Sequence, residues 1–413
     1  MTMSNPNCRF CGAELTRTFA DLGQTPLANS YVAPDAELAE DPVYPLHARV
    51  CDTCLLVQVE DVVPAEDIFS DYAYFSSYAK SWVEHARQYA DMAIKRFALD
   101  GDSSVIEVAS NDGYLLQHFA NRNIPVLGIE PAANVAQAAE ERGIPTRTAF
   151  FGTDLARSLR KEGIHADLLA GNNVLAHVPD LNNFVEGLGI LLAEDGVLTM
   201  EFPHLLRLIG DVQFDTIYHE HYSYFSLLVV EHVFARHRLK LFDVEELPTH
   251  GGSLRIFAGR TDGPDRGETT GLRAVRDAES AAGLDRAGTY GAFQPRVEAI
   301  REGLQAFLAQ AARDGKQVAA YGAAAKGNTL LNFCGVTAEQ ISFVADVSPH
   351  KQNHLLPGSR IPVMAPDHLK SARPDYVLIL PWNLKTEITR DHGYVRDWGG
   401  KFVIAVPELT VLS

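Results

Sequence analysis

Val105-Ile106-Glu107-Val108-Ala109-Ser110-Asn111-Asp112-Gly113-Tyr114-Leu115-Leu116 is the stretch that decides the fold. An apolar strand runs into a small polar turn, and the turn opens a helix. Such a turn lets a ligand reach backbone amides at a helix start. The next strand, Val126-Leu127-Gly128-Ile129-Glu130, ends on an acid about twenty residues beyond the turn, where a carboxylate can accept both ribose hydroxyls of an adenosine. Two more strands follow: Ala166 to Gly171, leading into Asn172, and Gly196 to Phe202. Strands alternating with helices predict an open parallel sheet. The turn has a single glycine where a dinucleotide fingerprint has three, so a nucleoside without pyrophosphate fits better than NAD.

Toward the N-terminus lie two knuckles, Cys8-Arg9-Phe10-Cys11 and Cys51-Asp52-Thr53-Cys54. They use four of the five cysteines in 413 residues. Each knuckle converges two thiolates, and two knuckles make the closed tetrahedral sulfur set that zinc prefers. A redox pair or two disulfides is the alternative reading. A closed four-thiolate site has no open position, so its zinc would be structural. Cys334, inside Leu330-Leu331-Asn332-Phe333-Cys334, reads as a buried small hydrophobe.

The length suggests about two to four domains. Apolar residues at 46% and charged residues at 22% are ordinary for a globular protein. No apolar run is long enough to span a membrane, and no basic-then-apolar leader opens the chain. Thiolate ligands need a reducing compartment, so a cytoplasmic location is expected. A net charge of −17 argues against a large nucleic-acid footprint but leaves room for an anionic small ligand.

Toward the C-terminus, Phe214-Asp215-Thr216-Ile217-Tyr218-His219-Glu220-His221-Tyr222 is dense in proton-moving groups. The spacing of His219 and His221 does not suit two metal ligands on a helix, and acid–base work fits better. His250-Gly251-Gly252 predicts a tight loop that permits close backbone approach. Tyr321-Gly322-Ala323-Ala324-Ala325-Lys326-Gly327-Asn328 reads as a strand end and a turn opening a helix, and its amides with Lys326 suit a diphosphate. Phe343 to Asp346, Asp375 to Leu380 and Lys401 to Val406 continue a second sheet, with Lys351 and Arg360 on the run between. Residues 261–296 read as a helical linker.

These segments, in this order after the cysteine knuckles, resemble the nucleotide-sugar C-methyltransferases of the C-3 type; the Val105–Leu116 region by itself is similar to a class I methyltransferase. The resemblance runs from Cys8 to about Val406. It implies an α/β protein of three units: a small zinc-binding head (1–68), a class I methyltransferase Rossmann-like domain binding S-adenosylmethionine (69–260), and a second Rossmann-like domain helping to hold the nucleotide sugar (261–413). The implied reaction methylates the carbon beside the ketone of a 4-keto-deoxysugar nucleotide, usually dTDP-linked. His221 is the implied base. Glu220 would either orient it or contact the sugar. Tyr218 would donate to the keto oxygen or shuttle a proton. One of Tyr72 and Tyr74 would add a further phenol.

Glu107, Ser110, Asn111, Gly113, Glu130 and Asn172 are the expected cofactor residues. His250, Gly251, Tyr321, Lys326, Asn328, Lys351 and Arg360 are expected on the substrate. His219 could instead be a solvated surface residue. A sugar O-methyltransferase and a non-catalytic zinc-containing ligand-binding protein are the rival classes. No nucleic-acid or membrane partner is expected, and a monomer is among the open oligomeric states.

Overall fold

The computed structural model describes residues 6–34, 41–64, 68 and 75–412. Its head is an antiparallel sheet of β1 (Arg17–Thr25), β2 (Tyr44–Val50) and β3 (Val57–Gln58). Along β2, Leu46, Ala48 and Val50 are buried while the residues between them are partly exposed, the period-two pattern of a sheet with one packed face. That face packs on the rest of the molecule: the Phe19 ring stacks on Phe293 with centroids 4.4 Å apart.

Beyond the head, β4 (Val105–Val108), β5 (Val126–Ile129), β6 (Thr146–Arg147), β7 (Ala166–Asn172) and β8 (Leu192–Pro203) run parallel. Every residue of β4 is buried, as expected for a central strand covered on both faces. The chain then sends β9 (Ser223–Tyr224) back to pair with β3, so the head sheet is completed from the middle of the sequence. β10 (Leu239–Leu247) and β11 (Ser253–Arg260) close the large sheet in the order β10-β11-β8-β7-β4-β5-β6, with β11 antiparallel to both neighbours. This reversed strand next to the edge is the class I methyltransferase arrangement.

The third sheet has the order β14-β13-β12-β15-β16-β17. β12 (Val318–Tyr321) is central, with β13 (Val344–Ala345) and β14 (Val363–Met364) on one side and β15 (Tyr376–Ile379) and β16 (Lys401–Ile404) on the other. All five are parallel, and β17 (Thr410–Leu412) is an antiparallel edge. Sheet growth changes direction at β4 and again at β12, and open α/β sheets bind ligands at the carboxyl ends of such strands. The linker is helical, as the sequence predicts. Its first helix, Thr270–Ala281, joins the methyltransferase sheet rather than bridging solvent. Buried Glu279 accepts from the Leu227 and Leu228 amides at 2.6 and 2.9 Å and lies 2.7 Å from His204 Nε2. It thereby satisfies the N-terminal amides of helix Leu227–Arg236.

The four knuckle sulfurs lie within 4.8 Å of one another. Cys8 and Cys54 are 3.5 Å apart, as are Cys11 and Cys51. Sulfurs at about 2.3 Å from a tetrahedral zinc would sit about 3.8 Å apart, so the set fits that ion. The Gln58 amide donates to Cys8 Sγ at 3.1 Å, an outer bond that favours thiolate. Cys334 is buried, and burial pushes its thiol up to about 12, consistent with an inert core residue. Because zinc binding of order 10 kcal/mol acts as folding free energy in such heads, Cys54→Ser is expected to lose the metal and lower the thermal transition. Elemental analysis of protein purified without chelator should find one zinc per parent chain and almost none in the variant.

Candidate active site

The turn after β4 is shaped by positive φ at Ala109, Asn111 and Gly113, with values of 56°, 49° and 76°. Gly128 on β5 lets the Ser110 side chain approach, since a Cβ there would meet Ser110 Oγ at 2.4 Å. Glu130, just beyond β5, braces the turn: its carboxylate accepts from the Asn111 and Ala132 amides, both at 3.0 Å. Burial raises Glu130 above the usual carboxylate range, and those two amides offset part of the rise. Glu107 is fully buried and pushed well above its usual range, first by burial and then by Glu130. Ser110 Oγ and Asn172 Oδ1 are buried without a hydrogen-bond partner among the described residues, and the Tyr114 phenol opposes part of the rise at Glu107 by hydrogen bonding to it. Asn172 ends β7, and its amide donates to the Tyr114 phenol at 3.4 Å.

Next to this cradle stands an aromatic wall. Trp82 stacks on His85 with centroids 4.9 Å apart, on Tyr114 at 6.0 Å, and meets His250 edge-on at 5.2 Å. His85 is held from behind by buried Glu201 at the carboxyl end of β8, with Nε2 to Oε2 of 2.8 Å. Arg255 shares that carboxylate, donating from Nε at 2.7 Å. Burial alone would raise Glu201, but His85 and Arg255 outweigh it and hold the group below its usual range.

The segment after β8 carries the proton-transfer groups. His221 Nδ1 lies 2.8 Å from the Thr216 carbonyl, which can only accept, so Nδ1 carries the proton. Nε2 is then an acceptor, and the Tyr218 phenol donates to it at 2.8 Å. Burial, then His177, and more weakly His250 and Lys326, hold His221 well below 6.5, so the ring is neutral. The His177 ring is 4.7 Å away, edge to face. Burial lowers both His177 and His250 to about 4. Glu220 is only 4% exposed, and burial raises it to about 7 against the opposing pull of Asn29, whose amide donates to Oε1 at 2.6 Å.

Lys326 completes the cluster. Its ammonium donates to Asn383 Oδ1 at 2.8 Å and lies 4.5 Å from the centre of the Trp382 ring. Burial lowers it, and Asp215 opposes that shift. Trp382 donates to Asp215 Oδ2 at 2.7 Å, and burial lifts Asp215 to about 6. Gly251, with φ of 91°, makes room for Trp382: a Cβ there would meet the indole at 2.6 Å.

Three family models match the chain: "Putative zinc binding domain" over residues 8–69, "Methyltransferase domain" over 82–242, and "C-methyltransferase C-terminal domain" over 248–407. C-methyltransferase NovU of Streptomyces niveus is 34% identical over 406 residues, covering 98% of this chain and 96% of that one. The chain belongs to the C-methyltransferase family. Among solved structures, PH0226 protein of Pyrococcus horikoshii OT3 aligns with 47% of this chain and 97% of its own, at 13% identity and a TM-score of 0.37. Magnesium protoporphyrin IX methyltransferase of Synechocystis PCC 6803, solved with bound S-adenosylmethionine, aligns with 44% and 81%, at 15% identity and a TM-score of 0.33. The assignment rests on the family and the strand order rather than on these distant likenesses.

This C-methyltransferase is therefore an S-adenosylmethionine-dependent enzyme with a zinc-binding head, acting on a small molecule. The O-methyl and non-catalytic alternatives give way to C-methylation. The cradle suits the cofactor, because the buried Glu107 carboxyl can offset the charge of a cationic ligand and Asn172 Oδ1 can accept from an ammonium group. No helix among the described residues is long and apolar enough to cross a membrane.

Several expected roles are altered by the fold. His219 is not a surface residue: it is 2% exposed, with Nε2 3.3 Å from the Pro45 carbonyl. Glu220 does not orient His221, whose two nitrogens are taken by Thr216 and Tyr218. Asn328 is turned toward the head and donates to the Ala28 carbonyl at 2.6 Å. Arg360 is paired with Asp41 at 2.6 Å, Lys351 donates to the Ala323 carbonyl at 2.7 Å, and Tyr321 meets His392 Nε2 at 2.7 Å. Tyr72 and Tyr74 lie outside the described residues.

The sequence reading missed Asn29, Trp82, His85, His177, Glu201 and Trp382. Glu201, an acid at the carboxyl end of a parallel strand, carried a usable signal. For the cofactor cradle, Glu130→Ala is expected to weaken S-adenosylmethionine binding about ten- to a hundred-fold. Calorimetric titration checks this, and a lowered thermal transition of the ligand-free variant would mark misfolding instead.

Proposed function

We propose that this enzyme methylates C-3, the carbon beside the ketone, of a 4-keto-deoxysugar nucleotide, dTDP-linked, in branched deoxysugar synthesis. The observation that carries the reading is the neutral His221 ring, locked by Thr216 so that Nε2 faces a phenol. A C–H beside a ketone is acidic because its electron pair can delocalise onto oxygen, and a neutral imidazole is a competent acceptor for that proton. The proton passes to His221 Nε2, either directly once substrate displaces Tyr218 or across the Tyr218 oxygen. The C–H pair becomes the enolate, whose carbon is the nucleophile. S-adenosylmethionine, when bound, supplies a methyl group on positively charged sulfur.

The remaining residues bind and position. Glu107, Ser110, Asn111, Gly113, Glu130 and Asn172 hold the cofactor, Glu130 at the ribose. Ionised Glu220 accepts a sugar hydroxyl. His250 and Gly251 border the sugar, and Lys326 meets the diphosphate at the sugar end. Functionally, the chain divides into units 1–68, 69–260 and 261–413, with β9 tying the second to the first.

His221→Asn keeps approximate volume and removes the proton acceptor. Its rate is expected to fall about 10²–10⁴-fold with both ligands still bound. Incubation with a 4-keto sugar nucleotide in deuterated water should show that the variant no longer exchanges the proton beside the ketone. Normal exchange without methylation would make His221 a positioning group. Lys326→Met is expected to raise the dissociation constant of the sugar nucleotide and spare the cofactor; an unchanged constant would move the diphosphate elsewhere.

A further inference from the structure

The zinc-binding head contributes to the active site through the stretch after β1. Asn328 donates to the Ala28 carbonyl, the Tyr31 phenol donates to the Ala323 carbonyl, and Val32 pairs with Leu355 in an antiparallel bridge. These bonds pin both flanks of Asn29 to the C-terminal unit. Asn29 is thereby presented to Glu220, which the middle unit supplies, with its amide 2.6 Å from Oε1.

We propose that Asn29 is the positioning residue for Glu220, holding its carboxyl group in the ionised form and in the orientation that accepts the sugar hydroxyl. The inference rests on the reading of Glu220 given above. An amide donor favours a carboxylate over a carboxylic acid, because the charged acceptor makes the stronger bond. Burial works in the opposite direction. The cation on the Asn29 arm is Lys351, whose ammonium lies 5.5 Å from the Tyr31 ring centre and is engaged with the Ala323 carbonyl. His177 donates to the Glu220 backbone carbonyl. The Tyr31 phenol, on the same arm, is raised by burial and then by Asp346 and Glu220. His221 is neutral, and the influence of Lys326 falls on Asp215, His221 and His250. Asn29 is thus the group that opposes the effect of burial on Glu220.

The sign follows directly. Glu220 acts as a carboxylate, so kcat/KM falls as pH drops through its pKa in the free enzyme. Without the Asn29 amide, burial is unopposed and the acid limb moves to higher pH. A charge-assisted hydrogen bond corresponds to a shift of about one to two pH units. Asn29→Ala is therefore expected to lose about five- to fifty-fold in kcat/KM at pH 7, with the deficit closing as pH rises. Asn29→Leu, of nearly equal size, fills the same space without a donor and should move the limb in the same direction.

The test is the pH profile of the full-length zinc-loaded enzyme with a dTDP-linked 4-keto sugar, for the parent, Asn29→Ala, Asn29→Leu and Glu220→Gln. Zinc content and S-adenosylmethionine affinity verify the fold of each. The expected result is an acid limb near pH 7 in the parent, shifted upward in both Asn29 variants and absent in Glu220→Gln. A limb that vanishes in Glu220→Gln but does not move in the Asn29 variants overturns the role of Asn29 and leaves that of Glu220 intact. A limb that persists in Glu220→Gln overturns both.

Discussion

The segment from Gln213 to His221 has no sheet of its own, and its backbone and side chains are held by hydrogen bonds from the rest of the protein. Thr329 donates to the Ile217 carbonyl at 3.2 Å, and Trp382 reaches Asp215. Pro45 accepts from His219, and Asn29 donates to Glu220. Immediately afterward the chain pairs with the head as β9. Buried polar groups must find partners, and here the partners belong to all three units. The zinc head and the C-terminal sheet are thus part of the mould that shapes the segment carrying the candidate base.

Burial dominates the electrostatics inside that mould. Histidines 177, 221 and 250 are all driven toward the neutral form, Glu220 and Asp215 toward the acid, and Lys326 toward the amine. Glu220 and Asp215 are thereby brought nearer neutral pH, while the histidines are held in the neutral form with an electron pair for a proton. Exceptions arise where a specific partner intervenes. Glu201 stays ionised because His85 and Arg255 outweigh its desolvation. The contrast between Glu201 and Glu107, both almost fully buried, is one of partners: the first is braced by His85 and Arg255, the second stands beside the carboxyl groups of Glu130 and Asp112.

Much of this architecture was legible in the chain. The run Val105–Leu116, the acid at Glu130 and the two cysteine knuckles each encode their structure locally, through side-chain period, small residues at a turn, or ligand spacing. The segment around His221 was likewise recognisable by the density of its proton-transfer groups. Local information of this kind fixed the methyltransferase sheet and the sulfur cluster, whereas the candidate base came from the resemblance to the C-methyltransferases. It did not reveal that β9 would return to the head, because a two-residue strand has no period to detect.

The tertiary structure alone decided which groups meet. Asn29 and Glu220 are 191 residues apart, and Trp382 and Asp215 are 167 apart, so no spacing rule joins them. The tautomer of His221 depends on the Thr216 carbonyl and the Tyr218 phenol, a matter of backbone path rather than composition. Asn328 and Arg360, attractive as ligand groups on paper, are engaged with the head because packing brought Ala28 and Asp41 within reach. The sequence by itself determined the parallel strands of the two α/β sheets, the metal ligands and the chemical repertoire, since these follow from local periodicity and side-chain type. Which acid is braced, which histidine is neutral and which cation faces the site were left to the long-range packing that sets burial and partners.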